Sequence, residues 1–296
     1  MAASFRRRLL RAKTLGPDDL ADRPAGSRVL LSSVAGFANQ VRSALAITSS
    51  GLVPVIQTNA EYRATVMGEE GIDLGALFTG IAVEETSDLK SRVFQDWVIP
   101  PWQGLEPAQA AEVFNILNWP GLVNGARLAH MPDLRTYMRE IYDGFGPRLD
   151  RAATTASVDP DMLAIHLRMF GRNYGTRYVA APRRKVVPAR HYAKEAWSAP
   201  RLATAVSALS ALSRPGAPVA VYTDRRDHPD TVRFLELAQD AGFKPQFADL
   251  DHDGSLGAMQ ESQMLSGHRR MVLTSTSTFG HLSALLAEDL EAVLSV

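Results

Sequence analysis

The feature that most constrains this chain is a repeated local grammar. A short apolar run gives way to a turn of small or polar residues, and a stretch with helical spacing follows. Arg28 to Ser33 reads as a buried strand, Val34 to Ala38 as a loop containing Gly36, and Asn39 to Ser50 as a helix carrying Val41, Ala44, Leu45 and Ile47. Gly51 then stands where a left-handed helix cap is expected, and Val53 to Gln57 reads as the next strand. Strands alternating with helices are the signature of an α/β fold with parallel sheets.

The same grammar returns in the second half. Met162 to Leu167, Pro218 to Thr223, Lys244 to Leu250 and Met271 to Leu273 read as strands. Helices are expected over Ala189 to Leu212 with an interruption at Pro200, over Asp230 to Ala241, over Leu256 to Ser266 and over Phe279 to Ala287. Between the halves, Pro132 to Ala153 reads as one long helix with Leu134, Met138, Ile141 and Tyr142 on one face, broken or kinked by Gly144 and Pro147. Glu84 to Pro120 holds Trp97, Trp102 and Trp119 among several prolines and reads as irregular structure with short helices. A boundary near residue 155 therefore separates residues 25–155 from 156–296, with a basic arm over residues 1–24. At 296 residues, about two units are expected.

Composition narrows the function. The 32 basic residues are matched by 32 acidic ones, so the basic excess that nucleic-acid binding needs is absent. There is no cysteine, hence no disulfide and no thiolate metal site, and no apolar run of membrane-spanning length. A cytoplasmic protein is expected. The arm with Arg6, Arg7 and Arg8 reads as solvated, the sharper alternative being weak peripheral contact with anionic lipid.

Ligands of open α/β sheets bind beyond the carboxyl ends of the strands. After the first strand, Gly36 would let backbone approach a ligand, and Asn39 could cap the helix or offer side-chain hydrogen bonds. His166 and Arg168 share a face at the end of their strand, and a guanidinium there can grip a phosphate through two hydrogen bonds. The run Met169 to Gly175 that follows is too polar for core and reads as a site loop. Asp224, just past a strand, could hold a ligand hydroxyl or turn the chain. Thr274, Ser275, Thr276, Ser277 and Thr278 put five hydroxyls at a helix start, where free amides attract a phosphate. Asp251-His252-Asp253 resembles a metal-binding acidic pair, but it lies among turn residues and reads better as a solvated loop.

In this order, Val34 to Leu45, His166-Leu167-Arg168, Tyr222-Thr223-Asp224 and Met264 to Leu286 resemble the motifs of the GDP-fucose-using fucosyltransferases, the set that includes bacterial α-1,2-, protein O- and nodulation fucosyltransferases. The resemblance covers roughly residues 28–57 and 160–287. It implies a GT-B-like fold of two Rossmann-like domains facing a central cleft, acting as a metal-independent inverting glycosyltransferase. It implies no cofactor, a GDP-sugar donor (fucose the expected sugar) and a glycan acceptor. Arg168 and His166 would be the catalytic residues, Arg168 binding the β-phosphate; Ser277, Thr278 and Phe279 would hold the phosphates; Glu261 would accept from guanine; Asn39 and Gly36 would face the sugar or acceptor. Two departures stand out. Ala35 and Ala38 occupy places where the family often has glycine, and Met169 to Tyr174 replaces the usual Arg-Gly-Asp-Tyr continuation. They leave room for the alternative of a catalytically degenerate nucleotide- or glycan-binding protein of the same fold.

Overall fold

The computed structural model describes residues 24–32, 37–49, 51–58, 74–85, 128–168, 199–223, 225–274 and 277–296. It is an α/β structure with two parallel sheets. The first sheet runs β1 (Arg28–Ser32), β2 (Val53–Thr58) and β3 (Ala82–Glu85) in that order. The helix α1 (Phe37–Ser49) crosses from β1 to β2, and the short α2 (Leu74–Leu77) precedes β3.

Gly51 ends α1 as its sequence position suggests. With φ at 73°, its amide reaches Thr48 O at 2.9 Å while Leu52 N reaches Ile47 O at 3.2 Å. These two bonds satisfy carbonyls that the helix end would leave bare, and the positive φ makes glycine the favoured residue.

The expected long helix is two. The helix α3 (Pro132–Gly144) buries Leu134, Met138 and Tyr142, whereas α4 (Arg151–Ala156) starts afresh under Asp150, whose carboxylate accepts from Ala152 N at 2.9 Å. Between them Gly146 turns at φ 63° against Thr79, where a Cβ would sit 2.2 Å from the Thr79 hydroxyl. Arg151 then grips Asp143 through two bonds of 2.9 and 2.8 Å, closing the bend.

The second sheet has the order β6-β5-β4-β7-β8, built from β4 (Leu163–Leu167), β5 (Pro218–Thr223), β6 (Lys244–Phe247), β7 (Arg270–Leu273) and β8 (Ala292–Ser295). All its pairings are parallel. Helices α5 (Ala199–Leu212) and α6 (Pro229–Asp240) pack together, as do α7 (Gly254–Ser266) and α8 (Thr278–Leu286). Pro200 is the second residue of α5 as described, a place near a helix start where its missing amide costs little. The expected start of that helix at Ala189 lies outside the described residues.

Strand β4 is buried along its whole length because both faces are covered. Leu163, Ile165 and Leu167 join the core with α5 and α6, while Ala164 lies in the other core, which Leu282, Leu285 and Leu286 of α8 enter. Each such fully buried leucine stabilises by roughly 1.5–3 kcal/mol. That second core is continuous with the helices of the first sheet, since it also takes in Val41, Leu45, Met138 and Tyr142. Among the described residues, three edge or short elements escaped the sequence reading: α2, β3 and β8. Among the described residues no helix is long and apolar enough to cross a membrane.

Candidate functional site

Numbered from β4, the second sheet has the order 3-2-1-4-5, the arrangement in which strand connections diverge from one point. That point lies between β4 and β7. Chains leaving two neighbouring strands in opposite directions open a crevice at their carboxyl ends, the usual ligand position of such sheets. His166 and Arg168 leave β4 there, and Thr274 and Ser277 leave β7 there.

Thr274 is fully buried and joins the two exits. Its Oγ1 donates to His166 O at 2.9 Å and accepts from Arg168 N at 3.0 Å, while its amide also reaches His166 O at 3.2 Å. The five-hydroxyl run is therefore not a uniform cradle, because Thr274 is engaged between strands. Ser277 is the N-cap of α8, accepting from Gly280 N at 3.5 Å, and Thr278 opens the helix half-buried. Ser275 and Thr276 lie outside the described residues. The amides of a first helical turn have no intrahelical partners and carry the positive end of the dipole, so this end can receive an anion.

His166 is 2% exposed, and its ring stacks on Phe279 with centroids 5.2 Å apart and planes 22° apart. Its Nδ1 is buried with no hydrogen-bond partner among the described residues and lies against Gly280, where a Cβ would approach it to 3.3 Å. Burial, then the charge of Arg168, then His281, push its pKa down to about 3. The ring is thus neutral at ordinary pH and suited to packing or accepting and donating hydrogen bonds, not to proton relay near neutrality. Phe279 also meets Phe37 of α1 at 6.3 Å, so the aromatic contact bridges β4, α8 and the first-sheet helix.

His281 is a neighbour that sequence reasoning missed. It lies one helical turn after Ser277, and its Nδ1 donates to Ser277 O at 2.7 Å. A spacing of four from the cap residue was the one available signal.

Of the remaining expected residues, Asn39 and Glu261 are among those described. Asn39 is not a cap: it is the third residue of α1, because the helix begins at Phe37. Its Oδ1 is buried and unpartnered among the described residues. Glu261 sits half-buried on α7, where its charge adds to burial in raising the pKa of Tyr222. The Tyr222 hydroxyl donates to His268 Nε2 at 2.8 Å, since His268 Nδ1 must carry the proton it gives to Met162 O at 2.9 Å. The turn after β5 is braced by Thr223, whose Oγ1 accepts from Arg225 N at 3.2 Å. Gly36, Asp224 and the run Met169 to Gly175 lie outside the described residues.

The Asp251–Asp253 pair is a loop device. Gln260 donates to Asp251 Oδ2 at 3.0 Å and accepts from the amides of Asp251 and His252 at 2.9 and 3.1 Å. Among the described residues no group of three or more metal-ligating side chains is assembled.

No family model matches the chain, and no curated protein matches it. Among solved structures it is similar to a crystal structure of POFUT1 in complex with GDP-fucose, at 10% identity and a TM-score of 0.41, over 93% of this chain and 99% of that one. It is also similar to a structure of POFUT1 in complex with GDP, at 10% identity and a TM-score of 0.38, over 92% and 98% of the two chains.

Proposed function

We propose that this chain is a metal-independent inverting glycosyltransferase that moves a sugar, fucose in the first instance, from a GDP-sugar to a glycan or glycoconjugate acceptor. The observation that carries the reading is that the Arg168 amide, where the chain leaves β4, bonds the hydroxyl of Thr274, where the chain leaves β7 towards the Ser277-capped start of α8. A permanent cation and a helix N-terminus at one crevice suit a diphosphate.

In this reading Arg168 binds the β-phosphate and offsets the charge that builds on GDP as the glycosyl bond breaks. Such preorganised electrostatic stabilisation needs no metal. Ser277, Thr278 and the amide of Phe279 hold the phosphates. His166 supports the crevice as a neutral ring stacked on Phe279. Glu261 accepts from guanine, Asp224 holds a donor hydroxyl, and Asn39 and Gly36 face the sugar or acceptor. Residues 156–296 form the donor side and residues 25–155 the acceptor side, with the cleft between them.

Calorimetric titration with GDP, GDP-fucose, GDP-mannose, UDP and ADP, with chelator present, tests it. Selective binding of guanine nucleotides, lost in Arg168→Ala and weakened in Glu261→Ala, supports the reading. Failure of every guanine nucleotide to bind removes it. Binding without transfer to any member of a broad acceptor panel favours the nucleotide-binding protein of the same fold.

A further inference from the structure

We infer that Thr274 is the positioning residue for Arg168, and that its hydroxyl acts on the diphosphate through that arginine rather than by contact. The inference rests on the reading of Arg168 as a phosphate ligand. The sequence offers Thr274 as one more hydroxyl in a row of five. The geometry separates it from Ser277 and Thr278.

Strand β4 ends at Leu167, so Arg168 is the first residue without a ladder partner. A side chain at such an exit inherits whatever freedom its backbone has. Here the backbone on both sides of Leu167 is tied to one atom. Thr274 Oγ1 accepts from Arg168 N at 3.0 Å and donates to His166 O at 2.9 Å, which uses the hydroxyl in both directions. No other neutral side chain of this size supplies a donor and an acceptor from a single atom except serine. The residue is fully buried, so water does not substitute for it. Because Thr274 N also bonds His166 O at 3.2 Å, the tie extends the β4–β7 register past its last strand pair, His166 with Leu273.

Valine matches threonine in shape and strand preference but has no hydroxyl, so Thr274→Val removes the tie with little change in packing. Thr274→Ser keeps it. The test measures the affinities of GDP and GMP for the 296-residue protein by calorimetry, because a ligand of the outer phosphate affects their ratio. Thr274→Val is expected to lower the GDP-over-GMP preference about tenfold, the size of one lost hydrogen bond's worth of placement. Thr274→Ser is expected to stay within about twofold of wild type. In an Arg168→Ala background, Thr274→Val is expected to change the ratio no further, because the two act through one contact.

A wild-type ratio in Thr274→Val overturns the inference, as does a serine variant that falls as far as the valine one, or additive effects of the two substitutions. If Thr274→Val fails to fold, Thr274→Ala against Thr274→Ser gives the same comparison. A second readout requires no nucleotide: amide hydrogen exchange at Arg168 should accelerate in Thr274→Val and not in Thr274→Ser, and unchanged exchange overturns the tie itself. Wild-type protein that binds neither nucleotide removes the reading of the site, whereas wild-type binding with an indifferent Thr274→Val removes only this assignment.

Discussion

The guanidinium of Arg139 donates to the carbonyl oxygen of Ala287 at 2.6 Å, so a side chain from α3 closes the C-terminal end of α8. Arg135, one turn earlier, donates to the same oxygen at 2.7 Å and to Glu288 O at 2.9 Å. Both side chains are buried, and burial lowers the pKa of both. Two cations at the negative end of a helix are well placed electrostatically. Because Ala287 O has two donors, either arginine can satisfy it alone. Arg135→Met and Arg139→Met should each cost about 1–2 kcal/mol of stability, and the double variant should cost more than the sum. Urea unfolding of the four proteins measures this; strict additivity would show that the shared carbonyl does not couple them.

The buried His166 predicts a pH dependence of stability. Its folded pKa of about 3 lies below the unfolded value of 6.5. Between those values the unfolded chain binds the extra proton, so stability rises with pH. The contribution is fully present above about 6.5 and is lost as pH falls towards 3. His268, also lowered mainly by burial, acts in the same direction, so the informative comparison is between proteins. His166→Gln should flatten the stability profile between pH 4 and about 6.5 relative to wild type. A ring-proton NMR shift of His166 that titrates near neutrality would refute a neutral buried ring.

Much of this arrangement is readable in the sequence. Pro218 to Thr223 was expected as a strand with the ends it has, and Gly51 caps α1 as proposed. The elements that were missed are those whose residues give no periodic signal. Strand β3 is Ala-Val-Glu-Glu, two apolar and two acidic residues, and its pairing with β2 is a tertiary fact. Arg135 and Arg139 look like the solvated side of an amphipathic helix, and only the approach of α8 makes them internal. The hydroxyl run marks a helix start but not how its members are used, because Thr274 and Ser277 are told apart by the neighbouring strand.

Asp251 yields a prediction of indifference. With its carboxylate held by Gln260 at 3.0 Å, Asp251→Asn should loosen the loop before α7 by about 1 kcal/mol and leave nucleotide affinity unchanged, with or without chelator. Affinity that depends on a divalent cation and falls in this variant would return the pair to consideration as metal ligands.

Gly280 is the closest test of the His166–Phe279 stack. An alanine there would place its Cβ 3.0 Å from Leu273 Cδ2 and 3.3 Å from His166 Nδ1. Alanine's helix propensity favours the change by about 1 kcal/mol, and crowding opposes it by roughly 1–3 kcal/mol. The leucine methyl can swing aside, but the histidine ring is held by Phe279, so net destabilisation of about 1 kcal/mol is expected. A thermal melt measures it; a gain in stability would mean that the stack yields easily.

The nine residues of α8 are gripped from both ends by different parts of the chain. Arg135 and Arg139 hold its tail from a helix of the first half, and the Ser277 cap and the Thr274 tie fix its head beside β4. Any free-energy coupling between the two ends of such a strut is reciprocal. If an anion lodged at the Ser277 end tightens the arginine pair, loosening the pair weakens the hold on the anion by the same free energy, without any atom of it being touched.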